Sequence, residues 1–165
     1  MILTDDNFAT IVRAVEQGRG IYDNIRKAVH FLLSCNIGEI LVIFISSLMG
    51  LPAPLLPIQL LWVNLVTDSL PAMALGVEAV DRDIMRRKPV PPRQSLFCTG
   101  PSFDIAVEGM MVGALALLAY MLGRTVFSGA GTVLGRTMAF AVLSFSQLVH
   151  AFNTRSEHSL FSVGF

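Results

Sequence analysis

Oxygen-bearing side chains are concentrated in two apolar stretches of the sequence. The first stretch carries Asn36 and Glu39, three positions apart, and the second carries Asn64, Thr67 and Asp68, at positions i, i+3 and i+4. On a helix, each of these sets lies on one face. Hard cations such as Ca²⁺ take roughly six to eight oxygen ligands, drawn from carboxylates, amides and backbone carbonyls. The residue types and their spacing therefore predict a binding site for a hard cation.

A second interpretation is that these side chains only form hydrogen bonds between helices, as Asn and Thr commonly do in membrane bundles. For Asn64 or Thr67 alone this is the preferred interpretation. Two carboxylates at the same depth favour an ion site, because an ionisable side chain inside a membrane is costly. Pro71 supports the ion site, since it has no N–H to offer the carbonyl of Thr67, four positions back. Freed backbone carbonyls of this kind are further candidate ligands.

Three further polar residues lie in the later apolar stretches. Gln147 has Ser144 and Ser146 nearby, and these residues support a ligand role and a hydrogen-bonding role equally. Glu108 is expected to form an ion pair or to lie where ions approach the site, without binding them. His150 is close to the end of its stretch, where a side chain that reaches the membrane interface or caps the helix explains its position.

These residues are carried by four stretches that are long enough to cross a bilayer. The 165-residue chain is 53% hydrophobic and 15% charged, with a mean hydropathy of +0.64. Soluble domains carry roughly a quarter charged residues, so this composition indicates a membrane protein. A membrane-spanning helix needs about 20 mostly apolar residues. Four windows meet this requirement: Ala28–Met49, Pro57–Val77, Phe103–Leu122 and Val133–Phe152.

Basic residues are distributed unevenly among the connections between these windows. The connection Gly50–Ile58 has none, whereas five lie between the second and third windows: Arg82, Arg86, Arg87, Lys88 and Arg93. Because cytoplasmic connections of membrane proteins are rich in Lys and Arg, both termini are expected to be cytoplasmic, in the plasma membrane. The formal net charge of +0 gives no general attraction to nucleic acid. The expected partner is the lipid bilayer, because the four windows are long and apolar enough to cross it.

The segment Asp5–Lys27 is predicted to be a helix that extends the first window as a stalk. Apolar residues recur in it at helical spacing, and Thr4, Asp5 or Asp6 can cap its N-terminus. The predicted fold class is an all-α membrane protein, in which four transmembrane helices form a bundle with an N-terminal cytoplasmic stalk helix. Its predicted parts are residues 1–27 (stalk), 28–77 (first transmembrane hairpin), 78–101 (basic cytoplasmic loop) and 102–165 (second transmembrane hairpin and cytoplasmic tail).

Two stretches of the sequence resemble a known family. "DDNFATI" and "QLLWVNLVTDSLPA" are near-signatures of the type II P-type ATPases, and the similarity runs from Thr4 to about Ser159. Within that family the chain resembles the calcium pumps of the sarcoplasmic-reticulum type and their bacterial counterparts. The resemblance implies that Thr4–Arg26 ends the phosphorylation domain and forms the stalk. It also implies that the four windows correspond to the fifth to eighth of the family's ten transmembrane helices.

The resemblance also implies which residues bind the transported ion. Ligands of the family's fifth and sixth helices match five residues of this chain: Asn36, Glu39, Asn64, Thr67 and Asp68. Gln147 stands where pumps that carry two calcium ions have Glu on the eighth helix, and Ser69 stands where they often have Gly. Since Gln147 removes one charge, the number of ions carried per cycle stays open. The ion itself is also open among Ca²⁺, Mn²⁺ and Na⁺, with Ca²⁺ expected.

The function that the resemblance implies is that of the membrane portion of an ATP-driven cation pump, which supplies ion ligands and the stalk that couples them to phosphorylation. The family's DKTGT and TGDGxND elements do not occur in this sequence, which therefore has no expected catalytic residue. The chain alone is not expected to hydrolyse ATP. ATP and Mg²⁺ are expected to bind in the remaining domains of the pump. The expected partners of the chain are those domains and the other transmembrane helices. Two alternatives stay open: a standalone, non-catalytic membrane protein that binds cations or regulates, and a secondary transporter or channel.

Overall fold

The computed structural model of the protein describes residues 7–80, 83–87, 99–126 and 131–155. Within these residues every regular element is helical, and four stretches are long and apolar enough to cross a membrane. The elements are α1 (Phe8–Leu48), α2 (Pro57–Trp62), a π-helical segment (Val63–Asp68), α3 (Ser69–Gly76), α4 (Thr99–Thr125) and α5 (Gly131–Arg155). The second stretch, Pro57–Gly76, joins α2, the π-helical segment and α3 without a break. The predicted all-α fold with four membrane-spanning helices is confirmed.

Helix α1 joins the predicted stalk and the first span in one piece. Its 41 residues correspond to a length of roughly 60 Å, about twice the hydrocarbon thickness of a bilayer. Asn7 caps its N-terminus by accepting a hydrogen bond from the backbone N–H of Ala9 at 3.0 Å. The prediction of a cap at one of the three residues before Asn7 is therefore wrong; those residues lie outside the described part of the chain.

The other end of α1 is closed by Gly50. This residue has a φ of +63°, in the left-handed region that a residue with a side chain rarely adopts. The N–H of Leu51 donates to the carbonyl of Ser46 at 2.9 Å, and the N–H of Gly50 donates to that of Ser47 at 3.0 Å. This pair of bonds is the Schellman pattern, which satisfies the last carbonyls of a helix. It turns the chain back into the membrane towards α2.

Helices α1 and α4 touch through their backbones. A Cβ atom placed on Gly109 would lie 2.7 Å from the carbonyl oxygen of Ser34, and one on Gly113 would lie 2.9 Å from the carbonyl oxygen of Gly38. Small residues permit this distance of approach, and membrane helices use them because lipid provides no hydrophobic force to press helices together. The contact fixes the depth of α4 relative to α1.

The core of the bundle lies between α1, the π-helical segment, α4 and α5. Tyr120 is fully buried there, and its hydroxyl donates to the carbonyl of Pro52 at 2.7 Å, which anchors the connection between α1 and α2. The other buried members of this core are apolar: Val42, Leu55, Val63, Val112, Ala116, Ala139 and Leu143. Many large apolar side chains on the outer faces of the same helices are exposed, among them Ile40, Leu65 and Phe145. An apolar exterior around an internal core is the arrangement expected for helices in lipid.

Side chains of the N-terminal half of α1 hold the connection that follows α3. Arg19 donates from its guanidinium to the backbone carbonyls of Ile84 and Arg87 at 3.2 and 3.1 Å. Asn24 donates to the carbonyl of Glu78 at 2.8 Å. Gly20 lies against Val80 so closely that a Cβ atom would overlap the valine side chain. Of the basic residues predicted in this connection, Arg82, Lys88 and Arg93 lie outside the described residues, and the division of the chain into four parts stays a prediction.

Candidate cation site

The side chains of the candidate site come from three helical elements. Helix α1 carries Asn36 and Glu39, the stretch Pro57–Gly76 carries Asn64, Thr67 and Asp68, and α5 carries Gln147. The second set lies entirely within the π-helical segment Val63–Asp68. Single π-helical turns occur frequently at functional sites, and they disturb the regular ladder of backbone hydrogen bonds. Pro71 predicts a disturbed ladder in this region, but it does not predict the π-helical form of the disturbance.

Four of the six predicted residues form one hydrogen-bonded chain. Asn64 Nδ2 donates to Glu39 Oε2 at 3.0 Å, and Gln147 Nε2 donates to Glu39 Oε1 at 3.0 Å. Thr67 Oγ1 lies 2.8 Å from Gln147 Oε1 and 2.8 Å from the backbone carbonyl of Val63, and its single proton serves these two acceptors. Glu39 is thus held between two amides from two other elements. Glu39, Thr67 and Gln147 are buried, whereas Asn64 is exposed at the edge.

Asp68 is almost completely buried, with only 1% of its surface exposed. Neither of its carboxylate oxygens has a hydrogen-bond partner among the described residues. The buried Cys35 lies beside it, and its thiol is a weak donor whose geometry falls short of a full hydrogen bond. A buried carboxylate is normally paired or bound to a metal, because removing its charge from water is strongly unfavourable. Asp68 is therefore the residue of the site that most needs a positive partner.

Asn36 is a predicted ligand that makes no hydrogen bond to the other predicted residues among those the structure describes. Its amide donates to the carbonyl of Leu32 at 2.7 Å, one turn back on its own helix, and it is half-buried. Its spacing from Glu39 does place it on the same side of α1. A ligand role for Asn36 requires its side chain to leave Leu32 and turn towards Glu39.

The donor set of the site consists of two carboxylates, amide oxygens and a hydroxyl. Among the described residues, no three His, Cys, Asp or Glu side chains come together in an arrangement that holds a metal. The six predicted residues include no histidine and no cysteine, whose nitrogen and sulfur atoms are the ligands that zinc and copper prefer. Oxygen-only sets suit hard cations such as Ca²⁺, Mg²⁺ and Na⁺. The two carboxylates together match the charge of one divalent ion.

Two polar residues outside the predicted site, Glu108 and His150, lie close to one another. Glu108 accepts from His30 at 2.7 Å, which provides the predicted ion-pair partner when the imidazole is protonated. His150 is buried, with 7% of its surface exposed, and its Nε2 lies 3.5 Å from Glu108 Oε2. The interpretation of His150 as an interfacial or capping side chain is therefore wrong. His30 was missed altogether, although a histidine inside an apolar window is a signal that could have identified it.

Fold and composition together define an integral, multi-pass membrane protein, and carboxylate, amide and hydroxyl side chains are buried within its bundle. Residues 52–165 match the family described as "Cation transporting ATPase, C-terminus", which is more than half of the chain. The chain belongs to this family of cation-transporting ATPases.

Two bacterial proteins show the extent of the similarity. The chain is 48% identical to "Calcium-transporting ATPase 1" of Bacillus cereus (strain ATCC 10987 / NRS 248), over 99% of this chain and 20% of that protein. It is 46% identical to "Calcium-transporting ATPase" of Bacillus subtilis (strain 168), over 98% of this chain and 18% of that protein. The chain thus spans about a fifth of the length of the curated relatives it matches.

Proposed function

We propose that this chain is the membrane portion of an ATP-driven calcium pump, and that Glu39, Asp68, Asn64, Thr67 and Gln147 bind the transported ion. The observation that carries the proposal is Asp68, a buried carboxylate whose two oxygens have no hydrogen-bond partner in the described structure. The pump interpretation is favoured over a standalone binding protein, a channel or a secondary transporter, because both relatives are named calcium-transporting ATPases.

The neighbourhood of Asp68 supports an ion rather than a purely structural role. A structural carboxylate would be expected to accept from nearby donors, yet the amides of Asn64 and Gln147 both donate to Glu39 instead. These two amides occupy both oxygens of Glu39. A cation between Glu39 and Asp68 would replace both amide donors, and the two amides would then turn their carbonyl oxygens inward.

Gln147 limits the charge that the site can balance. Two carboxylates carry two negative charges, which neutralise one divalent ion and leave nothing for a second. Burying unbalanced charge is strongly unfavourable in a region of low dielectric. We therefore expect one Ca²⁺ per transport cycle, with the backbone carbonyls near Thr67 completing the oxygen set. Asn36 is the sixth proposed ligand, after rotation away from Leu32.

The continuous helix α1 is the proposed link between the site and the ATP-consuming domains. It carries Glu39 within the bundle, and its N-terminal half holds the connection after α3 through Arg19 and Asn24. A displacement of the N-terminal end of α1 would therefore move both walls of the site together, since α3 continues directly into that connection. The phosphorylation and nucleotide-binding domains, ATP and Mg²⁺ belong to the rest of the proposed pump. We place both termini in the cytoplasm of a cell whose plasma membrane holds the pump.

The test is Asp68→Asn in the intact pump that includes this chain. The variant removes one of the two negative charges without changing the shape of the side chain. Phosphorylated enzyme that forms from ATP in response to Ca²⁺ is expected to be lost. The matched control is Asp104→Asn, the same chemical change at an exposed position on α4, and it should retain Ca²⁺-dependent phosphorylation. Undiminished phosphorylation of the Asp68→Asn pump would refute the assignment of the site.

A further inference from the structure

A second cluster of ionisable side chains lies outside the hydrogen-bonded chain of the cation site. It joins three helices: His30 from α1, Glu108 from α4 and His150 from α5. Both histidines point their Nε2 atoms at the same carboxylate oxygen, Oε2 of Glu108, at 2.7 Å for His30 and 3.5 Å for His150. Ser34 Oγ lies 3.2 Å from that oxygen and 2.9 Å from the backbone carbonyl of His30, and its single proton serves these two acceptors. One carboxylate therefore has three polar partners at the point where three membrane helices meet.

His150 is the most enclosed member of the cluster, with 9% of its side chain exposed, against 22% for His30 and 34% for Glu108. The imidazole of His150 stacks on Phe31, with ring centroids 5.6 Å apart, and lies 6.3 Å from the ring of His30. Its Nε2 is buried and has no hydrogen-bond partner among the described residues, although Glu108 Oε2 lies 3.5 Å away. His150 thus presents a buried nitrogen that is aimed at a carboxylate but not bonded to it. A nitrogen in that position has the capacity to take up a proton.

The composition of the cluster points to the proton as its ligand. The described residues offer no three-group arrangement with metal-binding geometry. A carboxylate inside a membrane favours a neighbouring positive charge, and the close His30–Glu108 pair supplies one when it holds a single proton. The groups that act electrostatically on His150 are Glu108 and His30, and Glu108 also acts on the thiol of Cys35. An imidazole takes up a proton as the pH falls, and the unbonded Nε2 of His150, 3.5 Å from Glu108 Oε2, offers the cluster a position for a second proton.

We infer that His30, Glu108 and His150 form a proton-binding site, separate from the cation ligands, which weakens cation binding when it holds its second proton. His150 precedes the end of α5 and lies three residues, or nearly one turn, from Gln147. A second proton places a net positive charge beside a site that must accept a divalent cation. The coupling to cation binding rests on the proposed function, whereas proton binding by the cluster does not.

Proton binding is tested on the chain itself in lipid nanodiscs, by NMR of selectively ¹³C-labelled histidine with EDTA present. The chain has three histidines, at positions 30, 150 and 158, so each signal is assignable from single variants. Histidines that share protons report common titration steps that belong to the pair. We expect His30 and His150 each to show two common steps, and Glu108→Gln to convert them into independent single steps. The control Asp104→Asn should leave the common steps in place.

A second variant guards against a structural effect of Glu108→Gln. His150→Gln removes only the longer, 3.5 Å contact, and it is expected to reduce the titration of His30 to a single step. Independent single steps in the unmodified chain, or two steps of His30 that survive His150→Gln, would overturn the proton-binding site.

The coupling is tested in the intact pump by equilibrium binding of ⁴⁵Ca²⁺ at about pH 7.5 and about pH 5.5, on either side of the ordinary histidine pKa. One unit charge about 10 Å from a divalent ion, at a dielectric between that of protein and water, changes affinity on the order of tenfold. The unmodified pump is expected to lose about tenfold more affinity between these pH values than His150→Gln loses. Equal losses would overturn the coupling. Absence of Ca²⁺ binding by the unmodified pump at the higher pH would overturn the proposed function and the coupling with it, while the NMR result decides proton binding on its own.

Discussion

The glycine contact between α1 and α4 gives a prediction whose size follows from the structure. In Gly109→Ala, the new Cβ atom would lie 2.7 Å from the carbonyl oxygen of Ser34 and 2.8 Å from Cγ2 of Ile37. Ordinary van der Waals contacts of a Cβ atom begin at 3.4 Å. The two helices must therefore separate by at least 3.4 − 2.7 = 0.7 Å at this point. Backbone cannot yield in the way that the end of a flexible side chain can.

The expected consequence is a loss of stability. Overpacking of a well-packed interior costs about 1–3 kcal/mol. Alanine is favoured over glycine within a helix by up to about 1 kcal/mol, which offsets part of that loss. The free energy of unfolding should therefore fall by up to about 2 kcal/mol relative to the unmodified chain, and by about 1–3 kcal/mol relative to a glycine-to-alanine variant without the clash. Because Glu108 is the adjacent residue, the same separation should lengthen its contact with His30.

Thermal unfolding of the chain in lipid nanodiscs, followed by circular dichroism, measures this loss. The matched control is Gly18→Ala, the same substitution in α1 at a position where a Cβ atom meets nothing within 4 Å. That variant should be as stable as the unmodified chain or slightly more stable. Equal stability of Gly109→Ala and Gly18→Ala would refute the reasoning that the helices touch through their backbones.

Two further predictions concern the proposed pump. Gln147→Glu adds a third carboxylate to the site, so calorimetry of Ca²⁺ binding should show a changed affinity or a changed number of bound ions. The melting temperature should stay within a few degrees of that of the unmodified pump. Unchanged Ca²⁺ binding would leave Gln147 as a hydrogen-bonding residue only. Arg19→Gln removes the bonds to the carbonyls of Ile84 and Arg87. It should retain equilibrium Ca²⁺ affinity but slow the Ca²⁺-dependent formation of phosphorylated enzyme in rapid-quench experiments, and an unchanged rate would argue against α1 as the link.

The spans were predictable because lipid imposes a simple requirement of length and apolarity. The prediction for the second window is Pro57–Val77, and the structure has Pro57–Gly76. The agreement arises because proline is favoured in the first turn of a helix and glycine near its C-terminal end. The last two helices extend beyond their windows at both ends. The fourth was predicted as Val133–Phe152 and found as Gly131–Arg155, because a helix continues for a turn into the polar region that hydropathy does not count.

The internal contacts of the site were less predictable. Spacing alone predicts that Thr67 and Asp68 lie near one another. It does not predict that the amide of Asn36 donates to the carbonyl of Leu32, because that contact depends on the side-chain rotamer of Asn36. The contact of His30 with Glu108 joins residues 78 positions apart. It depends on the relative depth of α1 and α4, which the glycine contact fixes and which no local pattern encodes.

The π-helical segment has a consequence for which side chains face inward. In a regular α-helix, successive residues point about 100° apart, so residues five positions apart point about 140° from one another and rarely both face the interior. Within Val63–Asp68 the turn is wider, and Val63 and Asp68, five positions apart, are both buried. The wider turn thus lets Val63 pack in the core while the carboxylate of Asp68 enters the candidate site. In a regular α-helix of the same residues, one of these two side chains would face away from the bundle.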